Sequence, residues 1–71
     1  MYTYYDVHYT TNHGTEIIVD PMESLEAVKE FTDEYKAATY MDKKAYTVHK
    51  VVRKWYREII SDEVVEMWSE N

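Results

Sequence analysis

No cysteine occurs in the 71 residues, so no disulfide can staple the fold and no thiol can serve as nucleophile or metal ligand. Glycine occurs once, at Gly14, and proline once, at Pro21. A single glycine is too few for a loop that cradles phosphate with backbone N–H groups, and so little glycine and proline argues against long disordered stretches. Long apolar runs are also missing. The longest aliphatic stretch is Ile17-Ile18-Val19, far short of the roughly 20 residues a membrane-crossing helix needs. Basic residues are scarce, with 8 Lys and Arg against 14 Asp and Glu for a net charge of −6. That balance disfavours free nucleic acid and anionic membrane as ligands, because Lys and Arg hold both. Met1 is followed by polar, tyrosine-rich sequence instead of a basic stretch and an apolar run, so no export leader is expected and the cytoplasm is the expected location. The sequence signatures of serine hydrolases, phosphate-binding loops, zinc peptidases, dinucleotide-binding folds and calcium-binding loops are all absent.

What is present suits a single small domain spanning residues 1–71. The chain is 45% hydrophobic and 15% aromatic, a globular composition, but a chain of this length buries only roughly 60% of its unfolded surface and has a marginal core. Eight of the residues are tyrosine. Tyrosine combines apolar area with a hydroxyl at low conformational-entropy cost, which serves small sheets and recognition surfaces alike.

The residues from Tyr2 to Thr11 are β-branched and aromatic, Asn12-His13-Gly14 punctuates them, and Thr15 to Val19 is β-rich again. Two such runs around a short glycine-containing loop predict a β-hairpin. A helix follows. Asp20-Pro21-Met22-Glu23 has the form of an N-cap, a proline at the first helical position and a glutamate in the first turn, while Ser24 is a competing cap one turn later. Leu25, Val28, Phe31, Tyr35 and Ala38 recur at three- and four-residue spacing and give the helix one apolar face that fades near Ala38 to Asp42. Residues 45–60 carry β-forming side chains with helical spacing, so strand and helix both fit. A third strand, bulged near Val51-Val52, is favoured because a two-stranded hairpin under one helix is weak. Ser61-Asp62-Glu63 resembles another helix start, with Val64, Val65, Met67 and Trp68 as the inner face of a short C-terminal helix. The expected architecture is therefore α+β, a small ββαβ domain with an antiparallel hairpin, one amphipathic helix, a third strand and a short C-terminal helix; ββαα is the alternative.

Charge is distributed unevenly. Residues 1–42 hold nine acids and two bases, residues 43–57 six bases and no acid, and residues 58–71 five acids and no base. On the first helix Glu23, Glu26, Glu30, Asp33 and Glu34 fall within roughly a 100° arc opposite the apolar face. At 1.5 Å per residue the row spans about 16 Å, with a charge about every 4 Å. Phosphates along one strand of duplex DNA recur about every 3.4 Å of axis, so such a row can compete for a basic groove. An ordinary solvated helix face with acids near its positive end has the same pattern. Tyr2 and Tyr4 share one face of the first strand, and a one-helix domain covers only one sheet face, so exposed tyrosines are expected as partner anchors. Lys50, Arg53, Lys54, Trp55 and Arg57 form a secondary basic and aromatic patch, which suits stacking on single-stranded nucleic acid, but flanking acids cancel its field and pairing with acids of the same chain or of a second copy explains it equally well. His8, with Asp6 on its strand face, and His49 could approach a zinc set, yet nothing fixes their separation, and no metal or cofactor is expected.

The length, the lack of cysteine, the acidic row Glu23–Glu34 and the expected exposed aromatics give the chain a general resemblance to the small acidic single-domain proteins encoded by bacteriophages and mobile elements. Such proteins inhibit nucleic-acid enzymes of the host, CRISPR and restriction effectors among them. The resemblance implies a non-enzymatic inhibitor in the bacterial host cytoplasm. It would bind a protein partner with a basic groove, without touching nucleic acid directly, through Glu23, Glu26, Glu30, Asp33 and Glu34 with Tyr2 and Tyr4. The alternative is a homo-oligomeric structural or accessory module whose basic segment meets acidic elements of a neighbour.

Overall fold

The structure, a computed structural model, describes residues 1–38, 44–55 and 58–70. Strand β1 (Tyr2–Thr10) and strand β2 (Glu16–Ile18) form the expected hairpin, with His8 opposite Ile18 and Thr10 opposite Glu16. The connection turns at Gly14, whose φ of 84° a side chain would disfavour. Thr11 closes it, its backbone carbonyl accepting from the Gly14 N–H at 3.0 Å and its hydroxyl from the Thr15 N–H at 3.2 Å.

Helix α1 (Leu25–Ala37) starts at Ser24, not at Asp20. The Ser24 hydroxyl accepts from the Ala27 N–H at 3.1 Å. The Asp20-Pro21 alternative fails because the sheet claims the next residue. Met22 and Tyr5 exchange both backbone hydrogen bonds, at 2.8 and 2.9 Å, so the chain is still extended there and cannot begin a helix. Asp20 to Glu23 thus acts as a strap along β1, and Glu23 lies outside the helix.

Strand β3 (Ala45–Lys54) takes the centre of the sheet and pairs with β1 without interruption from Tyr2–Arg53 to Thr10–Ala45. Its helical spacing has a simple cause. Tyr46 and Val48 are buried on the face under α1, whereas Val51, 2% exposed, is buried on the opposite face across from Tyr4. Burial changes face halfway along the strand, so buried positions are spaced by two and then by three.

The C-terminal segment is not a helix. It is strand β4 (Glu58–Ser69), the longest in the sheet, and the topology is ββαββ with sheet order β2-β1-β3-β4, every neighbouring pair antiparallel. A helix of two turns is far below the length of roughly 12–15 residues at which isolated helices hold together. As a strand, the segment gains a ladder along β3 and sets Trp68 on Tyr46, ring centroids 5.6 Å apart. The expected bulge near Val51-Val52 is absent from the β1–β3 pairing. The β3–β4 ladder does shift register between Val52 and Arg53, beside the expected place, and again between Val48 and His49, but the extra residues, Ile60 and Val65, belong to β4. The β3–β4 turn opens at Trp55, whose φ of 61° is unusual for a bulky side chain.

One helix covers one face. Val28 and Tyr35 of α1 pack on Val7, Tyr46 and Val48, with Tyr5, Tyr9, Phe31 and Trp68 around them. Tyr35 is the hub, its ring 5.2 Å from Tyr9, 5.7 Å from Tyr46 and 5.8 Å from Trp68. With a core this small, single contacts should register in whole-domain stability. Ser24→Ala is expected to cost about 1 kcal/mol and Asp20→Ala less than about 0.5 kcal/mol, measured by urea unfolding; the reverse order would put the cap at Asp20. Tyr35→Ala, by analogy with other buried aromatics, should cost about 3–5 kcal/mol and abolish a cooperative thermal transition.

Candidate functional site

The helix places its acids as the periodicity required. Val28, Thr32 and Tyr35 are buried, while Glu26, Glu30, Asp33 and Glu34 are exposed on the opposite side. Asp33 is engaged within the helix. Its carboxylate accepts from the Lys29 ammonium at 2.7 Å, a contact that holds the Asp33 carboxyl below the usual range and Lys29 above its own. Lys29 also lies near Glu66 of β4, across a shallow groove of about 310 Å³ whose lining includes Leu25, Thr32 and Lys36.

Tyr2 and Tyr4 are not on that surface. Strand alternation directs Tyr5, Val7 and Tyr9 under α1 and turns Tyr2 and Tyr4 to the other face. There the two rings stack at 5.9 Å, and the Arg53 Nε–H donates to the Tyr4 hydroxyl at 2.7 Å. The strap from Asp20 brings Glu23 alongside, so Tyr2, Thr3, Tyr4, Pro21, Glu23 and Arg53 line an open pocket of about 590 Å³. The structure therefore unites Glu23 with both tyrosines and separates them from Glu26, Glu30, Asp33 and Glu34. Arg53 joins this pocket from the basic segment and so leaves the patch expected of Lys50, Lys54, Trp55 and Arg57. The signal that could have found it is β pairing, since Tyr2 stands opposite Arg53.

The basic and aromatic patch divides in the same way. Lys50 and Lys54 point to one face of β3 and Arg53 to the other. Lys50 stands opposite Glu63 and Lys54 opposite Glu58 in the ladder to β4. Trp55 is exposed in the turn, and Arg57 lies outside the described residues.

The face away from α1 also holds a histidine pair. His8 and His49 stack with centroids 4.1 Å apart. His49 Nδ1 is 2.9 Å from Asp62, and its Nε2 is 3.1 Å from the Thr47 hydroxyl; His8 Nδ1 lies 3.8 Å from Glu16. Among the described residues no group of three or more His, Asp or Glu is arranged to hold a metal ion. No described helix is long and apolar enough to cross a membrane.

No protein-family model matches the sequence, and no curated protein or solved structure matches it either.

One strongly perturbed titratable group, the Tyr46 phenol, belongs to the core. Tyr46, 2% exposed, donates its hydroxyl to Glu66 at 2.5 Å. Burial, then this hydrogen bond and the Glu66 charge, push the phenol from 10.0 up to about 12. A tyrosine kept neutral by the fold and free to ionise when unfolded stabilises the native state below its unfolded value. That contribution is intact below pH 10.0 and is lost as the pH rises towards about 12. The urea midpoint should therefore fall over this window, and Tyr46→Phe should remove much of the fall. An unchanged alkaline slope in the Phe variant would assign the loss to other groups.

Proposed function

We propose that this chain is a small acidic binding protein without catalytic function, which occupies a basic surface of a bacterial nucleic-acid-handling protein and so inhibits it. This is the mode of the phage- and mobile-element-encoded proteins it resembles, anti-CRISPR and anti-restriction proteins among them, and it would act in the host cytoplasm. The observation that carries the reading is the exposed row Glu26, Glu30 and Glu34 on α1, opposite Val28, Thr32 and Tyr35, which the fold buries; Leu25 at the helix start is exposed and outside that core. A row of fixed carboxylates on a rigid helix attracts a basic groove from a distance and speeds association. Asp33, tied to Lys29, contributes less net charge. Glu23 with Tyr2 and Tyr4 would then act as a separate contact, offering a carboxylate and two aromatic rings around one pocket.

A second reading draws on a different observation. The sheet face away from α1 has no layer over it among the described residues, and Ile18, Val64 and Met67 are 59%, 48% and 75% exposed. A second copy laid on that face would enlarge a small core. A molar mass that rises with concentration would support it; a monomer throughout would dismiss it.

The inhibitor reading is tested by capture from bacterial lysate at rising salt, comparing the native chain with the triple reversal Glu26→Lys, Glu30→Lys and Glu34→Lys. A nucleic-acid-binding protein should be retained by the native chain, shed at high salt and displaced by DNA. The triple variant should bind it about tenfold more weakly or worse. Equal capture by both chains would exclude the helix row as the contact.

A further inference from the structure

We propose that the outer edge of β4 is a docking site for an extended basic segment of a partner protein, which joins the sheet as an added strand. The proposal is independent of the helix row and would stand if that row were inert.

The two edges of the sheet differ. The β2 edge offers only Glu16–Ile18 before the chain turns into the Pro21 strap. The β4 edge runs from Glu58 to Ser69 and ends the strand order, so among the described residues one side of its backbone, from Glu58 to Trp68, faces no neighbouring strand. A row of free N–H and C=O groups is what an incoming strand pairs with. Between the extra residues Ile60 and Val65 lies a regular stretch, Ser61–Val64, in continuous register with β3. Ile59, Ile60, Val64, Val65 and Met67 are each about half exposed or more; Ile59, Val64 and Met67 stand opposite Arg53, His49 and Thr47, so the face away from α1 offers apolar contact to alternate side chains of an added strand.

Charge selects the occupant. Glu58, Asp62, Glu63 and Glu66 lie on β4 with Glu70 just beyond, and the strand carries no base. A second copy would pair β4 with β4 about a two-fold axis. Counted residue for residue, centring that pair on Asp62 sets Asp62 against itself and Glu58 against Glu66. Centring it on Glu63 sets Glu63 against itself, and centring it on Val64 sets Asp62 against Glu66; centring it on Ser61 opposes no two acids but sets Asp62 against Ile60 and Glu63 against Ile59, with no base to compensate either. Like charges directly opposite are destabilising, whereas Lys or Arg opposite these acids is favourable. The fold already displays the favourable case on the inner side, where Lys50 and Lys54 of β3 stand opposite Glu63 and Glu58. An outer strand of the same character, basic residues alternating with β-branched ones, would repeat it.

The test is amide hydrogen exchange of the full chain with a short peptide alternating lysine and valine. A lysine–glycine peptide of equal charge and low strand propensity is the control. The lysine–valine peptide should slow exchange in β4 by about tenfold or more, with the effect fading at high salt, and the glycine peptide should not. Asp62→Lys with Glu63→Lys should abolish the protection; should that variant fail to fold, the two peptides on the native chain decide the question. Protection that maps to α1 or β2, equal protection by both peptides, or none would overturn the proposal. So would β4 protection that grows with protein concentration alone, which would assign the edge to a second copy. The helix triple reversal should leave the peptide effect on β4 intact, so that loss of lysate capture and loss of peptide docking report on separate surfaces.

Discussion

The packing of Tyr35 against the sheet is the contact on which the rest of the architecture depends. Its ring meets β1 through Tyr9, β3 through Tyr46 and β4 through Trp68. Those strands come from distant parts of the chain, and a single helical side chain ties three of them to the helix. Edge-on contacts at Tyr46 and Trp68 suit the aromatic quadrupole, and aromatic pairs add about 0.5–1.5 kcal/mol each beyond the area they bury. With no disulfide to limit the unfolded chain, this cluster and the valines Val7, Val28 and Val48 beside it supply the cooperativity of the domain. The tyrosine richness of the sequence is therefore partly structural: Tyr35 and Tyr46 are core, Tyr5 and Tyr9 pack around it, and only Tyr2 and Tyr4 among the described tyrosines lie on the other face.

A core built by one helix on one sheet face has a geometric consequence. The helix is 13 residues long, about 20 Å at 1.5 Å per residue. It spans the Tyr9 end of the sheet through Val7 and gives out before Arg53 and Lys54. Beyond its start, β3 and β4 continue with a different way of excluding water. Val51 is buried on the opposite face, next to the Tyr4–Arg53 pair. The sheet thus buries one face near the helix and part of the other face past it. The pocket around Tyr2, Tyr4 and Glu23 forms where the two regimes meet.

The parts of the fold that could be read in the sequence are those decided locally. The β1–β2 hairpin needed only strand-forming residues around Gly14, and α1 needed only the spacing from Leu25 to Tyr35. The acidic helix row was legible for the same reason, except at Glu23. Pro21 and Glu23 imitate a helix start, and nothing local reveals that Met22 bonds to Tyr5. The C-terminal strand was hidden because Ser61-Asp62-Glu63 is a good cap and Val64 to Trp68 gives a helical face, while the reason for a strand lies in β3, at Tyr46. The alternation of β3 was masked by the change of buried face between Val48 and Val51. Tyr2 and Tyr4 share one face by strand alternation alone, but which face meets the helix depends on Tyr5, Val7 and Tyr9 being the more continuous apolar set.

The order of the strands also decides how the molecule looks to a partner. The bases Lys50, Arg53 and Lys54 lie on β3 (Ala45–Lys54), the strand enclosed between β1 and β4, while the acids of residues 26–34 and 58–66 occupy the outer helix face and the outer strand. Lys50 and Lys54 face acids of β4 across the ladder, and Arg53 is held by Tyr4. Two lysines of β3 therefore stand opposite acids within the sheet, and acids of α1 and β4 are displayed at the perimeter. A net charge of −6 spread evenly over so small a body would be unremarkable for solubility. Sorting it so that the interior strand is positive and the outer elements negative makes the field outside the molecule more acidic in those two directions than its composition alone requires, which favours basic partners and discourages close approach of a second copy along either acidic surface.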